Sequence, residues 1–140
     1  MTFPTLSLTL AIQIVATMQI GIAVLNLFLV RLLKWEEDVA RMPLLLREVF
    51  YVHAWFISTT LGIFAAMSWR FAADMAGGDE VCCWLAAGIG IFWTIRTVMQ
   101  VGWYSSSHWR GQTGRTVAHV VLLIVYGGFA GTYLWAAFGR

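Results

Sequence analysis

Residues 1–30 read MTFPTLSLTLAIQIVATMQIGIAVLNLFLV, and none of these side chains carries a charge. About 20 consecutive apolar residues in a helix cross the hydrocarbon layer of a bilayer. The stretch therefore predicts a membrane span over 6–30. A cleaved secretory leader would open on a basic segment and hold a shorter apolar core. The segment before Leu8 has no basic residue, so the run is expected to persist as the first span.

The same pattern returns three times further along. After the polar segment 31–41, Pro43 is expected to open a second helix at its first position, where a missing N–H costs nothing. Residues 49–69 lack Asp, Glu, Lys and Arg and form the second expected span. A turn over 73–80 with glycines and acids leads to a third span at 81–104, whose single charge is Arg96. The loop 105–115 precedes the last span, 117–138. Connections this short make sequential helices antiparallel. The expected fold is all-α: one domain over 1–140, an up-down-up-down four-helix transmembrane bundle.

Composition supports this reading. Hydrophobic residues make up 60% of the chain and charged ones 11%, against about 25% charged in soluble domains. Nine Lys and Arg with seven Asp and Glu cannot cover a soluble surface of this size, so the surface is expected to face lipid. A net charge of +2 gives no footprint for nucleic acid.

Basic residues set the expected orientation. Arg31, Lys34, Arg41, Arg47, Arg110 and Arg115 flank loops one and three, against Arg70 and Arg140 on the other side. Loops one and three are then cytoplasmic and both termini lie outside. Trp69, Trp84 and Trp135 fall at the outer boundary and Trp35, Trp103 and Trp109 at the inner one, as indole belts do. With no organelle-targeting signal in view, a bacterial plasma membrane is expected.

Polar side chains inside spans are costly, so their positions carry information. Counted from the cytoplasmic end of each span, Asn26, Glu48, His53, Arg96, Gln100 and His119 fall in the cytoplasmic half. Glu48 is the expected ion-pair partner of Arg96, with Gln100 sharing hydrogen bonds one turn away; the group either locks helix two to helix three or forms an anion, headgroup or quinone-carbonyl site. Gln13, Thr17 and Gln19 are expected to bond between helices. In the outer half, Ala86/Gly90 and Gly127/Gly131 form small-xxx-small pairs that allow close helix approach.

His53 and His119 come out at similar depth on helices two and four, which are often diagonal in such bundles. Bis-histidine haem ligation needs two imidazoles facing from opposite sides. The layout resembles that of four-helix membrane cytochromes b, although no second histidine pair is present. The resemblance implies haem b held by His53 and His119, with Arg47, Arg96 or Arg115 toward the propionates. The competing reading places both histidines at the interface, satisfied by water and phosphate.

Motifs that would name a reaction are missing. There is no HExxH, CxxC or phosphate-binding Gly loop, and no metal site or catalytic residue is assigned. The adjacent Cys82 and Cys83 read as small apolar residues at a helix start, and His108 as a solvated loop residue. The expected function is a non-enzymatic membrane subunit, accessory or structural, with a polar site in its cytoplasmic half. Its partners would be the bilayer and a membrane protein or further copies of itself. Two alternatives stand beside it: the haem-binding electron carrier, and a small transporter or membrane enzyme using Glu48 and Arg96.

Overall fold

The computed structural model describes residues 3–102 and 113–139. Helix accounts for 92% of these residues and no strand occurs among them, so the chain is all-α. Four helices are long and apolar enough to cross a membrane: Thr5–Leu27, Leu44–Gly77, Glu80–Gly102 and Thr116–Phe138. The protein is on this ground an integral membrane protein.

The first helix, α1 (Phe3–Leu27), ends sooner than its apolar run. Phe28 adopts φ −98° and ψ 4°, and its N–H is shared between the carbonyls of Val24 and Leu25 at 3.3 and 3.2 Å. A single turn, α2 (Leu29–Leu32), follows. Lys34 then takes a left-handed φ of 56°, which lets the Trp35 N–H reach back to the Val30 carbonyl at 2.9 Å. Glycine usually fills that position. Hydropathy is blind to this break, because Phe28, Leu29 and Val30 are as apolar as the helix before them.

Next comes α3 (Glu36–Ala40), with Glu36, Glu37 and Asp38 in its first turn, where the helix dipole favours acids. Glu37 meets Arg41 at 3.6 Å with both side chains exposed, a pair of little energetic weight. Pro43 precedes α4 (Leu44–Gly77) instead of opening it: its carbonyl accepts the Arg47 N–H at 3.1 Å, which makes it the N-cap. At 34 residues, α4 is about 51 Å long, well beyond the ~30 Å of hydrocarbon. Its helical geometry lapses at Phe71 (φ −109°, ψ 16°).

The turn from α4 to α5 (Glu80–Gly102) is tight. Gly78 sits at φ 94°, and both its N–H and that of Asp79 bond to the Asp74 carbonyl, at 3.0 and 3.1 Å. Asp79 then caps α5, its carboxylate accepting the Cys82 N–H at 3.0 Å. That bond holds the Asp79 carboxyl below the usual carboxylate range. The last helix is α6 (Thr113–Phe138).

The chain divides into two compact units, one of residues 13–70 and the other of 1–12 with 71–140. In the first, α1 and α4 bury Val15, Ala16, Gln19, Ala23, Leu61 and Ala65. In the second, α5 packs on α6 around Trp93, Phe129 and Tyr133. Trp93 makes an edge contact with Phe129 at 4.8 Å and a tilted one with Tyr126 at 5.1 Å between ring centroids. Each such aromatic pair adds about 0.5–1.5 kcal/mol beyond area burial.

Close helix approach in this second unit is carried by one of the two expected glycine pairs. Ala86 and Gly90 are buried, and a Cβ added at Gly90 would lie 2.9 Å from Leu134 Cδ2 and 3.2 Å from the Leu134 backbone nitrogen. The Gly127/Gly131 pair has no such role: Gly131 is exposed, and a Cβ at either position meets nothing within 4 Å. The pairs look alike in sequence, but only one faces a neighbouring backbone.

Candidate functional site

Hydroxyls inside a span must find an acceptor, and most threonines here use their own helix. Thr9, Thr60, Thr94, Thr97 and Thr132 each donate to the carbonyl four residues back at 2.8–2.9 Å. Polar side chains that reach beyond their own helix are the ones that shape a site, and two groups of them stand out among the described residues.

The first group ties α1 to α4. Asn26 spends one amide hydrogen on the Ala54 carbonyl at 2.9 Å and the other on Ser58 Oγ at 3.0 Å. Ser58 in turn donates its hydroxyl to the Ala23 carbonyl on α1 at 3.0 Å. Each donor has one acceptor, and the path closes from α1 to α4 and back. Nearer the other end of α1, Thr17 accepts the Trp69 indole N–H at 3.3 Å while donating to the Gln13 carbonyl. Low numbers on α1 meet high numbers on α4, so the two run antiparallel. Asn26 was singled out from the sequence; Ser58 was not. The missed signal is Ala54-xxx-Ser58, a small-residue pair that opens a groove for an asparagine from the facing helix.

The second group joins α5 to α6. Arg96 donates from Nη1 to Gln100 Oε1 at 3.0 Å, and Gln100 Nε2 lies 2.9 Å from His119 Nδ1. The Arg96 guanidinium carbon stands 5.0 Å from the Tyr126 ring centroid, a cation–π contact. Arginine has only donors, so it fixes the glutamine with its carbonyl toward Arg96 and its NH₂ toward histidine. His119 Nδ1 must then accept, and the ring proton of the neutral imidazole sits on Nε2.

His53 carries the opposite tautomer. Its Nδ1 donates to the Val49 carbonyl at 3.2 Å, and a carbonyl only accepts, so in the neutral ring the lone pair is on Nε2. Its side chain is exposed, as is that of Glu48 in the first turns of α4. Of the six polar residues marked in the sequence, the structure thus unites Arg96, Gln100 and His119, and gives Asn26 a separate set of partners in the other unit. His53 and Glu48 belong to that same unit as Asn26 but to neither group. His108, Trp103, Trp109 and Arg110 lie outside the described residues.

A haem iron takes Nε2 of its histidine while Nδ1–H is held by an acceptor. His53 has that form. His119 does not, since its Nδ1 is occupied as an acceptor and its Nε2 holds the proton. The donor set fits haem at one residue and conflicts with it at the other. Neither Cys82 nor Cys83 is in a disulfide, and Cys83 Sγ lies 3.9 Å from the Ala136 carbonyl of α6. Among the described residues no three of His, Cys, Asp and Glu converge on a point where a metal would sit. Two concavities among the described residues are shallow: one is lined by Glu80, Cys83, Trp84 and Phe138, another by Tyr51, Trp55 and Thr59 along α4.

Compared with known protein families, curated proteins and solved structures, the chain matches none of them.

Proposed function

We propose that the protein is a small non-enzymatic membrane subunit that crosses the membrane up-down-up-down, with both termini outside, in the plasma membrane of a bacterium. The observation that carries this reading is where the polar groups spend their bonds. Asn26 and Ser58 are used on α1 and α4, and Gln100 bridges Arg96 to His119. Groups satisfied in this way hold helices in register. Meanwhile α4 exposes Leu45, Val52, Trp55 and Phe56, each more than 60% accessible. That surface suits lipid and the helices of a companion, either another membrane protein or further copies of this chain.

Extraction into polymer-bounded discs, without detergent, followed by mass determination tests the proposal. A complex of fixed stoichiometry is expected. Recovery as a lone chain under these conditions overturns it.

A second reading, a haem b carrier through His53 and His119, is favoured by the His53 tautomer alone. It requires His119 to release Gln100 and move its proton. A reduced-minus-oxidised absorption spectrum of protein expressed with ample haem decides it: sharp low-spin bands that vanish in both His53→Ala and His119→Ala would establish ligation, and a flat spectrum would end it.

A further inference from the structure

Arg96 lies inside a membrane span, and no described acid of its own unit lies near it. The described carboxylates there are Asp74, Asp79 and Glu80, at the opposite end of α5. Glu80 is 16 residues away, about 24 Å along the helix axis. A guanidinium has five N–H donors, and among the described residues this one meets the Gln100 carbonyl and the face of Tyr126. The bond to Gln100, one turn nearer the end of α5 at Gly102, pulls the charge toward the membrane interface. The carbonyl end of α5 favours a cation there, but a helix terminus supplies only a partial charge.

Two features make this a poised group and not merely a snorkelling one. Gln100 is itself anchored by His119, and Tyr126 is packed against Trp93, so the guanidinium plane is held on two sides before any anion arrives. Preorganisation of this kind lowers the entropy lost on binding, and the planar fork matches two phosphate oxygens. We propose that Arg96 anchors a phosphate site at the Gly102 end of the α5–α6 pair, filled by the headgroup of an acidic phospholipid or by free phosphate. The site is independent of the subunit reading, since a lone chain would carry it equally.

The full chain in mild detergent, titrated with phosphatidylglycerol, phosphatidylcholine and inorganic phosphate, tests this by native mass spectrometry and thermal unfolding. Phosphatidylglycerol is expected to be retained and to raise the midpoint, and Arg96→Gln to weaken its retention about tenfold. Arg96→Lys, which keeps the charge and loses the fork, should fall in between and guards against a misfolded glutamine variant. Protection by inorganic phosphate without retained lipid supports the site and names free phosphate as its occupant. Equal retention of phosphatidylglycerol by wild type and a helical Arg96→Gln overturns the proposal. So does a wild type indifferent to all three probes, the result expected if the Arg96 charge is met by Glu48.

Discussion

Gln100 Nε2 lies 2.9 Å from His119 Nδ1, and the arginine behind the glutamine decides which of them carries the hydrogen. The neutral His119 ring is therefore expected as the Nε2–H tautomer and His53 as Nδ1–H. Nitrogen-15 shifts of histidine-labelled protein report this directly, since the two tautomers give distinct patterns. Gln100→Glu replaces the donor facing His119 by an acceptor and should move the His119 proton to Nδ1. A wild-type His119 already protonated at Nδ1 would contradict the relay.

The circuit through Asn26 and Ser58 predicts strong coupling. Asn26→Ala should strand the Ser58 hydroxyl as an acceptor and cost about 1–2 kcal/mol, the scale of hydrogen bonds between membrane helices. Ser58→Ala should cost a similar amount, leaving an amide hydrogen and the Ala23 carbonyl without their partner. The double change should cost less than the sum. Additive losses in reversible unfolding would mean that the two side chains act separately.

Gly90 and Gly131 should part company under the same substitution. Gly90→Ala pushes a methyl to 3.2 Å from the Leu134 backbone nitrogen, and strain of this sort costs about 1–3 kcal/mol. Gly131→Ala meets open space and replaces a poor helix former by the best, so stability should hold or rise by up to about 1 kcal/mol. The difference in unfolding midpoint between the two variants is the measurement. Equal effects would place α6 differently against α5.

Much of this was legible in the chain. Long apolar runs with at most one charge marked four spans, and the scarcity of charge marked the medium, because neither depends on which way a helix is turned. Rotation is where the reading failed. Gly127/Gly131 and Ala86/Gly90 have the same spacing and depth, but only contact across the helices tells which pair faces a backbone. The group on α5 and α6 was half visible: Arg96 with Gln100 follows from i,i+4 spacing, whereas His119 completing it depends on the turn of α6. Ser58 was missed because a serine among apolar residues looks idle until an asparagine on another helix is seen to use it.

Asp79 gives a pH signature at the α4–α5 turn. Its carboxyl is held below the ordinary value of 3.8, first by the Cys82 N–H. With the folded pKa below the unfolded one, its contribution is complete above the unfolded value and fades as pH falls through the folded one. Asp79→Ala should thus lower the unfolding midpoint at neutral pH and lose that effect in strong acid. Asp79→Asn keeps a capping oxygen and should flatten the pH dependence while preserving most of the midpoint. A deficit in Asp79→Ala that is the same at every pH would argue against the charged cap.

The closed path of Ala23, Asn26, Ala54 and Ser58 also bears on descent. Removing one polar partner leaves the other stranded in an apolar setting, whereas replacing both together by apolar groups of similar shape is close to neutral. Position 23 and position 54 contribute only carbonyls, which every residue has, so side chains there are constrained by size alone. Among descendants of this chain, Asn26 and Ser58 should consequently be inherited or lost as a couple. Lineages holding one without the other should be short-lived.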